Sequence, residues 1–278
     1  MLTIEIICFG NELLIGKTVN TNANWLGKRI TSLGGIVSRI TTIADDLNEM
    51  GKAVKESLKR KPDMIITTGG LGPTFDDMAL EAIAKATNKK LVMNQQALEL
   101  IKERILNVRK QRDIELQLSE ERKRMAYLPE DGIPLQNREG TAPGVLLQIK
   151  DTKIFSLPGV PREMKSIFDL EMIKYFVSED NHHLFERSLI VNHVPESELA
   201  AAISSVRNNF PTVYIKTHPR SYTSGDTRII EVEIHITTIC SAEEEEILAE
   251  VEKEVIKIIK GMRGVKDKKP KITIITEK

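Results

Sequence analysis

The first ninety residues alternate between two hydrophobic periods, and that alternation restricts the fold more than any other feature. LTIEIICF (2–9), IVSRITTI (36–43) and DMIITT (63–68) are apolar runs of strand length. Between the first two, Ala23, Leu26, Ile30 and Leu33 recur at the +3 and +4 spacing of an amphipathic helix, which Gly34-Gly35 ends. Leu47, Met50, Val54 and Leu58 form a second stripe, opened by Asp46 with Glu49 three residues on and followed by Pro62. Helix-like sequence resumes from Asp77 to Thr87. Strand and helix in alternation, with short links, predict parallel strands and right-handed crossovers. DMIITT reads as a strand covered on both faces. Ligands of such sheets bind at the carboxyl ends of the strands. The loops after Phe9, Ile43 and Thr68 therefore matter most.

Further along, Leu98, Ile101, Ile105 and Val108 predict a helix over about 94–112, and Ser119 suits the cap of a short one. GVLLQI and KIFSL read as a hairpin around Lys150-Asp151. LPGVPREM leads into a helix with Pro161 in its first turn. The polar stretch from Glu179 to His183 reads as a linker, which gives two domains, 1–178 and 184–278. In the second, RSLIVNHV, TVYIKTH and RIIEVEIHITTI read as strands and PESELAAAISSVRNNF as one helix. A last helix starts at Ser241, with Glu244 completing a capping box. The result is a small β-α-β-β-α sandwich.

Composition narrows the function. Forty basic and forty acidic residues cancel, so no global field draws the chain to nucleic acid or an anionic membrane. Two cysteines, Cys8 and Cys240, make neither a disulfide framework nor a zinc site, and Cys8 in its apolar run is expected to be buried. Glu5 interrupts the N-terminal apolar run and no basic segment precedes it, unlike a signal peptide. No run approaches the length of a membrane span. A cytoplasmic protein without a membrane partner is the expectation.

TTGGLGPTFDD (67–77) poses the chemical problem. Thr68, Gly69, Gly70 and Gly72 follow a buried strand, where glycine lets backbone N–H groups close on a phosphate. The helix beyond adds a positive dipole end. The loop lacks the spacing of a dinucleotide fingerprint and the Gly-Lys-Ser/Thr of a Walker A loop. Asp76 and Asp77 stand beside it, and two carboxylates repel a phosphate. Helix capping explains one Asp. A divalent cation between acid and phosphate explains both, since both supply hard oxygen ligands. Glu12, Asp45 and Asp46 follow the neighbouring strands. Asp46 suits a helix cap, whereas Glu12 has no evident structural partner. Asn20, Thr21 and Asn22 cap the first helix or bind a ligand. Loops 138–144, with Gly140 and Thr141, and 157–162, with Pro158 and Gly159, are turns of defined shape. The histidines lack ligand spacing.

GNELLIGKTVNTN, ADD at 44–46, TTGGLGPTFDD, NREGTAPGV and SLPGVPREM resemble, in that order, the CinA-like (competence- and damage-inducible) proteins. The resemblance covers residues 1 to about 175 closely. It implies a three-layer α/β/α sandwich of molybdopterin-binding type, followed by a small KH-like α+β domain. It further implies metal-dependent hydrolysis of a nucleotide diphosphate such as ADP-ribose, a pyrophosphatase reaction giving AMP and ribose 5-phosphate. Magnesium, manganese or cobalt would serve as the ion, and a homodimer would be the assembly. Carried over by motif, Glu12 lies in the Gly-x-Glu-Leu-Leu loop, Asp45 follows the second strand, and Asp77 ends the Gly-Gly loop. These three would hold the metal, with Asp76 as general base or cap. One departure is Ala79, where members commonly have Thr. Longer members carry a domain that deamidates nicotinamide mononucleotide, an activity not carried over to a chain ending at Lys278.

Two other functions compete. The same fold can bind molybdopterin or another ligand without hydrolysing it, a reading that the CinA-like loops around Gly140 and Gly159 argue against. A KH-like domain can bind nucleic acid through a Gly-x-x-Gly loop between helices. The only such tetrad here, Gly261-Met262-Arg263-Gly264, follows the last helix instead, so nucleic acid is not expected.

Overall fold

The computed structural model describes residues 1–112, 117–176, 183–224, 227–240 and 246–275. It divides into two compact units, Met1–Val177 and Ser178–Lys278. The linker read at 179–183 and the cap pair Ser241 and Glu244 lie outside the described residues, apart from the backbone of His183.

The first unit runs β1 (Thr3–Phe9), α1 (Asn11–Leu14), α2 (Thr21–Ser32), β2 (Ile36–Ile43), α3 (Leu47–Arg60), β3 (Met64–Thr68), α4 (Ala79–Ala86), β4 (Leu91–Met93), α5 (Gln95–Arg112), α6 (Glu120–Arg124), β5 (Tyr127–Pro129), β6 (Ile133–Leu135), β7 (Gly144–Ile149), β8 (Thr152–Leu157) and α7 (Pro161–Ile167). Its main sheet has the order β2-β1-β3-β8-β7-β6. β1, β2, β3 and β8 pair in parallel, whereas β7 runs against both its neighbours. β7 and β8 form the expected hairpin.

Strand periodicity sets the layers. Ile4, Ile6 and Cys8 face α2 and α7 together with Met64, Ile66 and Phe155. Ile7 and Phe9 face α3, α4 and α5 with Ile65 and Ile154. All five residues of β3 are buried, as a central strand requires. Each fully buried Ile or Leu contributes about 1.5–3 kcal/mol over leaving it exposed. The product is a three-layer α/β/α sandwich. On the α3 face, β1 carries one charge inward. Glu5, 3% exposed, accepts from Arg60 Nε at 2.6 Å and Nη2 at 2.7 Å.

Two local expectations are corrected, and β2, read as a strand, proves to be one at the sheet edge. The segment after β1 is not all loop, because α1 forms one short turn there. α4 begins at Ala79 rather than Asp77, because the Asp77 carboxylate folds back onto the Thr74 amide. At that edge β2 stays largely exposed.

The second unit runs β9 (His183–Asn192), α8 (Glu196–Ala202), α9 (Ser204–Asn209), β10 (Tyr214–Pro219), β11 (Tyr222–Ser224), β12 (Thr227–Ile229), β13 (Glu231–Cys240), α10 (Glu246–Lys260) and β14 (Lys271–Ile275). Leu248, Val251, Val255 and Ile259 of α10 close a core over Leu189, Ile234 and Ile236 of the sheet. The single helix expected at 195–210 is broken at Ile203. A further strand, β14, extends the sheet to β10-β13-β9-β14. Its KITII run is short and half exposed, so the expected β-α-β-β-α outline stopped before it. The tetrad Gly261–Gly264 lies just after α10, where Gly264 N–H donates to Lys268 O at 2.9 Å.

Candidate functional site

The chain leaves β1 for β2 on one side and then crosses to β3 on the other. That makes the β1–β3 boundary a topological switch point, where open α/β sheets leave a crevice. A cleft of about 540 Å³ opens there. Gly10 and Glu12 from the loop after β1, Asp45 after β2, Gly69 to Asp77 after β3, and Pro158 to Val160 after β8 line it. Thr141 and Ala142, which precede the antiparallel β7, close the far wall.

The floor is main chain. Gly69 has φ +98°, and a Cβ there would meet Phe9 O at 2.5 Å. Its N–H donates to Leu157 O at 3.0 Å, tying the β3 and β8 loops together. Gly70 has φ +69° and lies over Ala79, whose N–H donates to Gly70 O at 3.1 Å. No hydrogen bond from the Gly70, Leu71 or Gly72 N–H groups is found among the described residues. Three successive amides are thus left free beside the cleft.

The acids serve their own loops. Thr74 N–H donates to Asp77 Oδ2 at 2.9 Å, and Thr74 Oγ1 lies 2.5 Å from both Asp77 Oδ2 and Asp76 Oδ1. A hydroxyl has one proton, so it serves one carboxylate at a time. That hydroxyl, and Asp76's own N–H, hold the Asp76 carboxyl below the usual carboxylate range. Asn11 N–H donates to Asp45 Oδ2 at 2.8 Å, and Asp45 N–H returns a bond to Asn11 Oδ1 at 3.2 Å. Asp46 caps α3, accepting from Asn48 and Glu49 N–H. Glu12 lies over Gly10, where an added Cβ would sit 2.6 Å from Oε1.

Of the residues singled out in the sequence, Glu12, Asp45, Gly69, Gly70, Gly72, Asp76, Asp77, Thr141, Pro158 and Gly159 share the cleft. Thr68 is buried at the end of β3. Asn20 caps α2 by accepting from Ala23 N–H at 3.0 Å. Asn22 donates to Gly159 O at 2.7 Å and so anchors a loop rather than lining the cleft. Gly140 is packed under the Glu163 carboxylate. Ala79 is fully buried beneath Gly70 and is not among the residues that line the cleft.

Two residues escaped the sequence reading. Glu163, in the first turn of α7, lines the cleft and accepts from Asn137 Nδ2 at 2.7 Å. Asn137, 7% exposed, also donates to Ala142 O at 2.8 Å and accepts from Glu139 and Gly140 N–H. An Asn ahead of a Gly-containing turn was the available signal. Among the described residues, Arg122 is the one basic residue on the cleft, against Glu12, Asp45, Asp76, Asp77 and Glu163. Among the described residues, no three His, Cys, Asp or Glu side chains are grouped to hold a metal ion. None of the described helices is long and apolar enough to cross a membrane.

Residues 5–177 match the family described as "Probable molybdopterin binding domain". A protein of Saccharolobus solfataricus is 40% identical over 264 residues, 94% of this chain and 93% of its own length. One from Metallosphaera sedula is 39% identical over 268 residues, 96% of this chain and 98% of its own. The crystal structure of the protein CinA from Thermoplasma acidophilum, described as of unknown function, superposes with a TM-score of 0.57. It is 37% identical and covers 63% of this chain and 99% of that one.

These findings correct the expected activity. The matched family is described by ligand binding, and none of these relatives is described as a pyrophosphatase. Two of the acids expected to hold the metal also serve their own loops, since Asp45 and Asp77 each spend an oxygen on a loop amide. ADP-ribose hydrolysis, and hydrolase chemistry with it, is therefore withdrawn. The chain belongs to the molybdopterin-binding-domain family and, within it, to the CinA-like proteins.

Proposed function

We propose that the cleft binds a phosphorylated pterin of the molybdopterin type without hydrolysing it. The observation that carries this reading is the glycine floor, with its three free amides, set in an acidic cleft. The amides of Gly70, Leu71 and Gly72 suit the phosphate. The amino-pyrimidine edge of a pterin presents adjacent N–H donors, and a carboxylate accepts both. Glu12, Asp45, Asp76, Asp77 and Glu163 supply such acceptors. A nucleic-acid phosphate backbone would instead need a basic surface.

A divalent cation fits beside the phosphate. One or two carboxylates plus ligand phosphate oxygens suffice for a magnesium-like ion, so a preformed cluster of three is not required. Glu12, and the oxygens of Asp45 and Asp77 not used in loop bonds, would hold it. Its contribution would be charge neutralisation between acid and phosphate.

Fluorescence titration with a phosphorylated pterin and its dephosphorylated counterpart tests the proposal. Saturable binding that weakens by an order of magnitude without the phosphate, about 1.4 kcal/mol, is expected. Equal affinity for both, or no binding of either, would refute it.

A further inference from the structure

A second cavity lies behind the loop that closes the cleft. It measures about 330 Å³ and is formed by α5 and residues 136–143, with Glu103, Arg104, Asn107, Gln136, Arg138 and Thr141 on its walls. Thr141 faces both cavities, so one turn of chain separates them.

Its charge is opposite to that of the cleft. Among the described residues on its walls, two guanidinium groups stand against one carboxylate. Arg104 is half-buried, and its Nη2 donates to the Glu139 carbonyl at 2.8 Å. Its Nε is buried and has no partner among the described residues. No carboxylate pairs with Arg104 or Arg138 among the described residues. The nearby Glu139 carboxylate is taken by Arg162 Nε at 2.8 Å. A guanidinium drawn partly out of water without a counter-ion is costly, and a buried cation normally meets an anion. The planar fork of arginine matches a tetrahedral oxyanion, and the Asn107 and Gln136 amides add neutral donors.

We propose that this cavity is an anion subsite that takes a phosphate-class oxyanion between Arg104 and Arg138. The anion is either free in solution or a second phosphate on the ligand of the neighbouring cleft. In the first case the site does not depend on what the cleft binds; in the second it rests on the proposed function.

The test uses the full chain and inorganic phosphate. Phosphate binding is followed by calorimetry at low ionic strength in wild type, Arg138→Gln and Arg104→Lys. Arg138 is exposed, so its variant is expected to keep the wild-type melting temperature in phosphate-free buffer. Saturable binding weakened at least about tenfold in Arg138→Gln supports the subsite. So does phosphate protection of the Arg104 and Arg138 peptides against phenylglyoxal, mapped by mass spectrometry. Binding of the same strength in both variants would place phosphate on the glycine loop and overturn the proposal. Absence of saturable binding to wild type would overturn it too. The two sources are then separated by a phosphorylated pterin. If Arg138→Gln weakens that ligand as well, the subsite holds part of it; if only phosphate binding suffers, the anion is a separate one. Failure here leaves pterin binding in the cleft standing, because the two are read with different probes.

Discussion

Asn137 and Glu163, 26 residues apart, meet through a 2.7 Å hydrogen bond from Nδ2 to Oε2. The bond fixes the loop that separates the cleft from the cationic cavity behind it. Asn137 spends both ends of its amide there, and Glu163 lies directly over Gly140. Asn137→Ala leaves two backbone N–H groups and a carboxylate without their partner, at a cost of about 1–3 kcal/mol. Thermal unfolding should show a lowered melting temperature, with a smaller loss in Glu163→Gln, which keeps an acceptor oxygen. An unchanged Asn137→Ala would show that the loop holds its shape without this brace.

Gly69 and Gly16 both have positive φ, but only Gly69 is confined. A Cβ on Gly69 would meet Phe9 O at 2.5 Å, whereas one on Gly16 has nothing within 4 Å. Gly16→Ala should cost about 1 kcal/mol from backbone strain alone. Gly69→Ala should cost more and abolish ligand binding, because Phe9 or the loop must move. Chemical denaturation of the two variants side by side checks the difference. Equal losses would mean that the β3 loop can yield.

Asp77 has two tasks under the proposed function, and two substitutions separate them. Asp77→Asn keeps an oxygen for the Thr74 amide but weakens the hold on a cation. Asp77→Ala removes both. Stability should survive in Asn and fall by about 1 kcal/mol in Ala. Pterin-phosphate affinity should fall in both, and a chelator should lower wild type to the level of the Asn variant. If a chelator leaves wild-type affinity unchanged, no cation takes part.

Phe75 is 85% exposed, between Pro73 and Asp76, both of which line the cleft. A heterocyclic ligand offers it a ring to cover, worth about 0.5–1.5 kcal/mol. Phe75→Ala should therefore weaken pterin binding several-fold while leaving inorganic phosphate binding unchanged. Equal loss for both probes would assign Phe75 to loop shape instead.

The Glu5–Arg60 pair predicts an acid-sensitive component of stability. Burial raises the Glu5 carboxyl, but the hydrogen-bonded Arg60 guanidinium and the charges of Arg60 and Arg39 outweigh it, and the group ends below its ordinary value of 4.5. A carboxylate depressed in the folded state stabilises above its unfolded pKa, and that contribution is lost as pH falls through the folded one. Arg60→Ala should destabilise at pH 7 by about 2–3 kcal/mol, less than for a fully buried pair because Arg60 is partly exposed. Below about pH 4 the gap between variant and wild type should narrow. A gap that is constant from pH 7 to pH 3 would show that packing of the Arg60 stem, not charge, is at stake.

Much of the first unit was legible because hydrophobic period and turn residues report local geometry. The stripe from Leu47 to Leu58 is a helix, and Asp46 caps it. The glycines after Thr68 mark a backbone that must turn and be approached closely. What sequence hid was partnership across the chain. Glu163 was not singled out, and nothing local says that Asn137 reaches it. Asp77 looked like a free acid beside a phosphate loop. Its bond to Thr74 shows only once the loop is folded. The activity carried over by resemblance does not stand, because the matched family is described by ligand binding. A motif preserves positions, while the task of a carboxylate depends on what its oxygens already hold.

Gly69 and Gly159 come so close that a Cβ on Gly159 would stand 3.4 Å from the Gly69 Cα. Where the β3 and β8 loops meet, the base of the cleft is thus peptide against peptide, with no side chain to exchange. Substitution can scarcely alter what such a base attracts, because every residue offers the same amide. Any divergence in ligand among proteins built this way would have to be written around the mouth, at positions such as Phe75, Thr141 and Glu163. The class of ligand would then be inherited with the fold, and only its identity would be open to change.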